Sequence, residues 1–185
     1  MTFEIASRLT EIFLCLAFLQ QGVEHLRRFR GRSSGGSDRM GLLALWCLAI
    51  SHLLPTQAWR EVVFGYLGAQ LTLSYFISGW VKIVNPDWRA GIALQQVFRF
   101  SAYPVSEGLR RWADRPRVLR MMSWAVMLFE LAFPLTLVSQ ASLAAGLTGA
   151  ALFHLANAWL FGLNRFFWTW VATYPAILWL QDRLF

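Results

Sequence analysis

The sequence predicts an all-α, polytopic membrane helix bundle of about six transmembrane helices, or about five if the first segment is interfacial, with an interfacial helix after the third span. Three observations carry this. Of 185 residues, 57% are hydrophobic and 15% charged, with 10 Trp and 15 Phe, the profile of an integral membrane protein. The apolar residues fall in long runs rather than in half-buried alternation. The net charge of +7 comes from arginines gathered between those runs, where they set orientation and touch anionic lipid. No recognised nucleic-acid fold or motif accompanies that charge, so no nucleic-acid partner is expected.

In chain order, residues 3–25 form the first candidate span. Its clean apolar core, Ile12 to Leu19, is short, and Glu4, Arg8 and Glu11 share one helical face. Such a segment either crosses with that face turned to the bundle or lies along the interface. Without a basic n-region and a small-residue cleavage site it does not read as a cleaved signal peptide. Residues 26–39, rich in Arg, Gly and Ser, have no means of building a core and read as a flexible linker.

A second span, 40–54, stops at Pro55, carries His52 near its end and is short for a straight crossing. The third, 62–84, repeats Gln70, Ser74, Ser78 and Lys82 at every fourth position, with Tyr75 and Gly79 alongside. Lipid would not solvate that face, so it packs against other helices or lines a cavity. Pro86 ends this helix, Asp87 and Trp88 mark a turn at the membrane interface, and 89–100 is amphipathic enough to lie in the interface or re-enter the protein.

Residues 101–117 form a basic loop. The fourth span, 118–138, holds Glu130 and Pro134; a carboxylate at that depth should face the bundle, be protonated, or pair with a cation. The fifth, 141–163, opens on Ala141, Ala145 and Gly149 as a close-packing face and later sets His154, Asn157 and Phe161 on one side. The last, 166–180, is rich in tryptophan and kinked or weakened at Pro175, and no soluble domain is expected after it. Arginines in the connections place the first and third on the cytoplasmic side, which puts both termini outside and the Lys82 end of the third span inside. A first segment that does not cross moves only the N-terminus.

Lys82 is the only lysine, since every other basic side chain of this kind is arginine. Arginine stays charged, whereas a desolvated lysine can release its proton and act as a base or nucleophile. The structural alternative is a lysine snorkelling from a helix end into the headgroups. Cys15 and Cys47 lie in apolar segments with no partner at metal-ligand spacing; they read as small buried hydrophobes, with no disulfide framework and no metal expected.

Tyr75-Phe-Ile-Ser-Gly-Trp-Val-Lys82, followed by Asp87-Trp88 and Gly91, resembles the YFxAGxxK…DW…G stretch of the vitamin K-dependent gamma-carboxylases and the related bacterial HTTM (horizontally transferred transmembrane) proteins. Phe153-His-Leu-Ala-Asn157, with Leu160-Phe161, Ala172 and Pro175, is similar to their FHxxNxxLF…A…P region, and Phe129-Glu-Leu-Ala132 matches a shorter piece between. The blocks keep the family's order and delimit a core of residues 62–178 within a single transmembrane domain spanning 1–185.

The resemblance implies that Lys82 is the base that deprotonates vitamin K hydroquinone, whose reaction with oxygen yields a base strong enough to form a glutamyl carbanion that captures carbon dioxide. It implies a quinone or hydroquinone cofactor, with Tyr75, Ser78, Trp88, His154 and Asn157 around it. For His154 and Asn157 an interhelical polar contact is an equal reading of the residues. Glu130 and His52 are further polar intramembrane candidates, His52 standing nearest to the family's separate catalytic histidine. The carboxylases' extra N-terminal spans and extramembrane substrate-recruiting domain do not fit in 185 residues. A protein partner supplying a soluble domain is therefore expected beside membrane lipids. The implied location is a bacterial inner membrane. The carboxylases work from the lumenal face, which corresponds to the outside, whereas the arginines turn the Lys82 end inward.

Two functions stay open: a small carboxylase-like membrane enzyme with a quinol-type cofactor and Lys82 as base, or a noncatalytic membrane subunit or maturation partner that kept the fold. No paired broken helices or inverted repeat supports a transporter.

Overall fold

Long apolar runs bounded by proline, glycine and charge fold as helices in lipid, because each backbone N–H and C=O is then satisfied within its own segment. The computed structural model describes residues 2–29, 36–100 and 107–185. Residues 30–35 of the predicted linker and 101–106 of the basic loop lie outside the described residues. Among the described residues the regular elements are helices: α1 (Thr2–Phe29), α2 (Gly36–Leu53), α3 (Gln57–Val84), α4 (Pro86–Ala90), α5 (Ile92–Phe100), α6 (Glu107–Arg110), α7 (Pro116–Ala132), α8 (Gln140–Phe161) and α9 (Asn164–Leu184). Short 3-10 segments, Arg111–Asp114 and Phe133–Val138, flank α7. The second begins one residue before Pro134, whose missing N–H and ring disfavour a continuing α-helix.

Three of these segments, Gln57–Val84, Pro116–Val138 and Gln140–Phe161, are long and apolar enough to cross a membrane. The other three predicted spans also fold as helices. Glu11, Glu24 and Arg27 in α1, Asp38 and Arg39 at the start of α2, and Arg165, Asp182 and Arg183 near the ends of α9 dilute their apolar windows. Outward faces carry a second membrane signature. Helix α3 exposes Val62, Ile77, Trp80 and Val81, and α8 exposes Leu152, Leu155 and Trp159, while Tyr75 and His154 are buried. Apolar side chains outside a polar, small-residue interior suit hydrocarbon as solvent and not water.

The chain divides into two compact units, Met1–Leu71 with Thr169–Leu184, and Thr72–Trp168 with Phe185. In the first, α1 and α2 pack together, burying Cys15 and Cys47. Arg60 donates to both oxygens of Glu11 at 3.1 and 3.5 Å and to the Leu54 carbonyl at 3.1 Å, tying α1 to the turn before α3. Glycines at 65 and 68 admit α9 against α3: a methyl group at Gly68 would meet Leu180 Cβ at 3.1 Å, and one at Gly65 the Trp179 ring at the same distance. His52 stacks on Phe18 with ring centroids 6.0 Å apart.

The second unit is built on the C-terminal half of α3, α4 to α8 and the segments joining them. Phe98 of α5, Ala113, Leu119 and Phe161 form a buried cluster with Leu94, Met122 and Leu160 around it. Gln95 reinforces it by donating to the Ala113 carbonyl at 2.7 Å. Helix α8 starts on a capping box in which Ser139 and Ser142 satisfy each other's backbone N–H. Its buried face runs through Leu143, Gly146, Leu147, Ala150 and His154, one step round from the predicted row: Ala141 and Ala145 are exposed. Of that row Gly149 does pack closely, a methyl group there standing 3.3 Å from the Phe129 ring, but the tightest contact is at Gly146, where Thr136 of the 3-10 segment presses and a methyl group would stand 2.9 Å from Thr136 Cβ.

Candidate functional site

Lys82 and Glu130 come together in the second unit, one from the last turn of α3 and the other from the last turn of α7. The approach depends on Gly79, one turn before Lys82. A methyl group there would lie 2.7 Å from the Leu131 nitrogen and 3.0 Å from Glu130 Cβ, so only glycine lets the two backbones run this close. Lys82 Nζ donates to Glu130 Oε2 at 2.6 Å and Oε1 at 2.8 Å, with a longer bond to the Ser78 carbonyl at 3.4 Å. The Glu130 side chain is 5% exposed and that of Lys82 20%. Two opposite charges at these distances neutralise each other locally, which makes their burial tolerable in an apolar surround. Of the fates the sequence left open for Glu130, the structure shows pairing with a cation.

Trp88 lies beside the amine, with Lys82 Nζ 5.4 Å from its ring centroid. The path of its segment is fixed locally. Asn85 caps α4 by accepting from the Asp87 N–H at 2.9 Å, Pro86 supplies a preset first helical position, and Gly91 ends α4 at φ 80°, in the left-handed region. Gly91 also lies against α7, where a methyl group would meet the Arg120 nitrogen at 2.8 Å. From α7, Ser123 donates to the Trp88 carbonyl at 2.5 Å and Trp124 Nε1 to the Arg89 carbonyl at 3.2 Å.

A second polar contact joins α3 to α8. Tyr75 Oη and His154 Nε2 lie 2.7 Å apart, both residues almost fully buried. Phe133 stacks on Tyr75 at 4.0 Å between centroids, and Phe129 meets it edge-on at 6.3 Å. The hydroxyl and the ring nitrogen are thus directed at each other, the interhelical polar contact that the sequence offered as one reading of His154. Ser78 and Asn157 are partly buried, and both bond through main-chain carbonyls: Ser78 to Lys82, Asn157 to the N–H groups of Gly162 and Leu163 at the end of α8. His52 belongs to the first unit. The structure therefore groups Lys82, Glu130, Ser78 and Trp88, and separately pairs Tyr75 with His154. Glu130 is the member whose pairing the sequence left unassigned; its signal was a carboxylate in an otherwise apolar span.

The helices with lipid-suited exteriors, folded over an internal ion pair, define the class: a helical integral membrane protein with a polar site inside its wall. The HTTM domain family model matches residues 53–181, well over half of the chain, and the chain belongs to that family. The match takes in the whole 62–178 core delimited by the motifs. No curated protein and no solved structure matches the chain.

Proposed function

We propose that this chain is a membrane enzyme core in which Lys82 acts as general base toward a quinol-type, lipid-soluble cofactor, with six helices crossing and the first and third connections cytoplasmic. The observation that carries this reading is the lone lysine, held 2.6 Å from a buried carboxylate and still partly exposed beside the indole of Trp88. The side chains present fit a hydroquinone: the lysine nitrogen for a hydroxyl and an aromatic face for the ring, on a helix whose exposed Trp80 and Val81 suit the bilayer. Bound there, a hydroquinone would supply the reducing electrons that the carboxylases' oxygen chemistry uses. The chain's part is to orient the ring with Trp88 and to receive a proton at Lys82 Nζ. Lys82→Arg keeps the charge and approximate size but cannot act as a base. The expected outcome is normal insertion and abundance with quinol-dependent oxygen uptake lost; uptake at the wild-type level would remove Lys82 from that role.

A second reading, a noncatalytic membrane subunit or maturation partner that binds lipids and a soluble protein chain, draws on the same geometry. Lys82 with Glu130 and Tyr75 with His154 both link α3 to a neighbouring helix, as assembly contacts do. Purification in mild detergent with mass spectrometry of whatever accompanies the chain separates the two. A bound quinone without a stoichiometric protein favours the enzyme, and a stoichiometric protein without a cofactor favours the subunit.

A further inference from the structure

We infer that Glu130 is the proton acceptor behind Lys82, so that the pair, and not the lysine alone, is the base; this rests on the quinol reading above. The geometry sets the problem and its answer. Lys82 Nζ sits 2.6 and 2.8 Å from the two carboxylate oxygens of Glu130, the spacing of charge-assisted hydrogen bonds from an ammonium. An ammonium has no lone pair, so Lys82 as it stands can accept a proton only while releasing another. Both oxygens of Glu130 lie within hydrogen-bond reach of Nζ. The Ser78 carbonyl, at 3.4 Å, is no proton acceptor of comparable basicity. The neighbouring charged groups of α4, Asp87 and Arg89, are exposed, and α4 faces the amine with the Trp88 ring.

The step balances as follows. An N–H bond donated to Glu130 breaks with its electron pair left on Nζ, and its proton forms an O–H bond at Oε2. The O–H bond of a hydroquinone hydroxyl breaks in the same step with its electron pair left on oxygen, and that proton forms a new N–H bond with the pair freed on Nζ. A single proton has moved from the hydroxyl to Glu130, and Lys82 remains an ammonium facing the oxyanion it has helped to form. Arginine at this position would hold the charge but would not release a proton, so the path requires lysine at its middle. Glu130 never touches the hydroxyl; it is a positioning residue that acts through Lys82.

The test uses the full chain in detergent micelles with menadiol, a simple naphthohydroquinone, as probe. Binding is followed by equilibrium dialysis and protonation by infrared difference spectroscopy. In the wild type, bound menadiol is expected to convert one carboxylate band into a protonated carboxyl band, and that conversion is lost in Glu130→Gln. In Lys82→Arg, which retains the ion pair should Glu130→Gln fail to accumulate, menadiol still binds and the conversion is lost as well. Binding to the wild type with no carboxyl band overturns the role of Glu130 while leaving the quinol reading in place. A band that persists in Lys82→Arg overturns the route through Nζ. Absence of menadiol binding removes the quinol reading and this inference with it.

Discussion

Taking the carboxylate from Glu130 strands an ammonium that is four-fifths buried, and breaking a fully buried pair in this way costs about 3–5 kcal/mol, the upper bound for this partly exposed one. Replacing both members with apolar groups of similar volume avoids that penalty. Thermal unfolding in detergent should therefore show Glu130→Gln strongly destabilised and the double variant Lys82→Met with Glu130→Leu close to the wild type. A double variant as unstable as the single one would mean that the pair holds the fold by more than mutual neutralisation. The Tyr75–His154 bond is a milder case, and Tyr75→Phe is expected to lower stability by about 1 kcal/mol, since the stacked Phe133 contact survives. Lys82 was legible in the sequence because it is alone of its kind and sits on a row of polar residues at helical spacing. Its partner was not: Glu130 lies 48 positions away on another helix, and only its depth in an apolar run marked it. Which side of one helix meets which side of another is set by backbone approach, and here that hangs on Gly79.

At the level of elements, glycine positions govern that approach. Gly79→Ala pushes a methyl group toward the Leu131 nitrogen and is expected to cost about 1–3 kcal/mol by overpacking, with α3 and α7 forced apart at the ion pair. A drop in melting temperature together with weaker menadiol binding is the expected signature; wild-type behaviour in both would show that the contact relaxes. The helices themselves were readable from apolar runs and their stops, and Asn85, Pro86 and Gly91 mark α4 by ordinary capping chemistry. The packing face of α8 was less readable. Small residues occur on two of its sides, and both Gly149 and Gly146 meet neighbours; the tighter contact, at Gly146, was chosen by Thr136 and the 3-10 turn beyond Pro134, which periodicity does not reveal.

For the whole molecule, membrane residence was legible from composition and is reinforced by the exposed apolar rows on α3 and α8. The direction of insertion has a direct test. The proposed six crossings, with the first and third connections cytoplasmic, would place residues 57 and 87 on opposite sides of the membrane. In intact cells a membrane-impermeant thiol reagent should label Gln57→Cys from outside, and Asp87→Cys only after the membrane is opened. Both replacements are at exposed positions, and the native Cys15 and Cys47 are buried. Labelling of both from one side would overturn the proposed topology.

Both bonds from α7 to the segment around Trp88 end on main-chain carbonyls, those of Trp88 and Arg89. The mount is thus indifferent to the side chain it displays. Evolution, or an engineer, can exchange the panel facing the amine, from indole to a smaller ring or an aliphatic group, and reshape the surface beside Lys82 without rebuilding the frame that carries it.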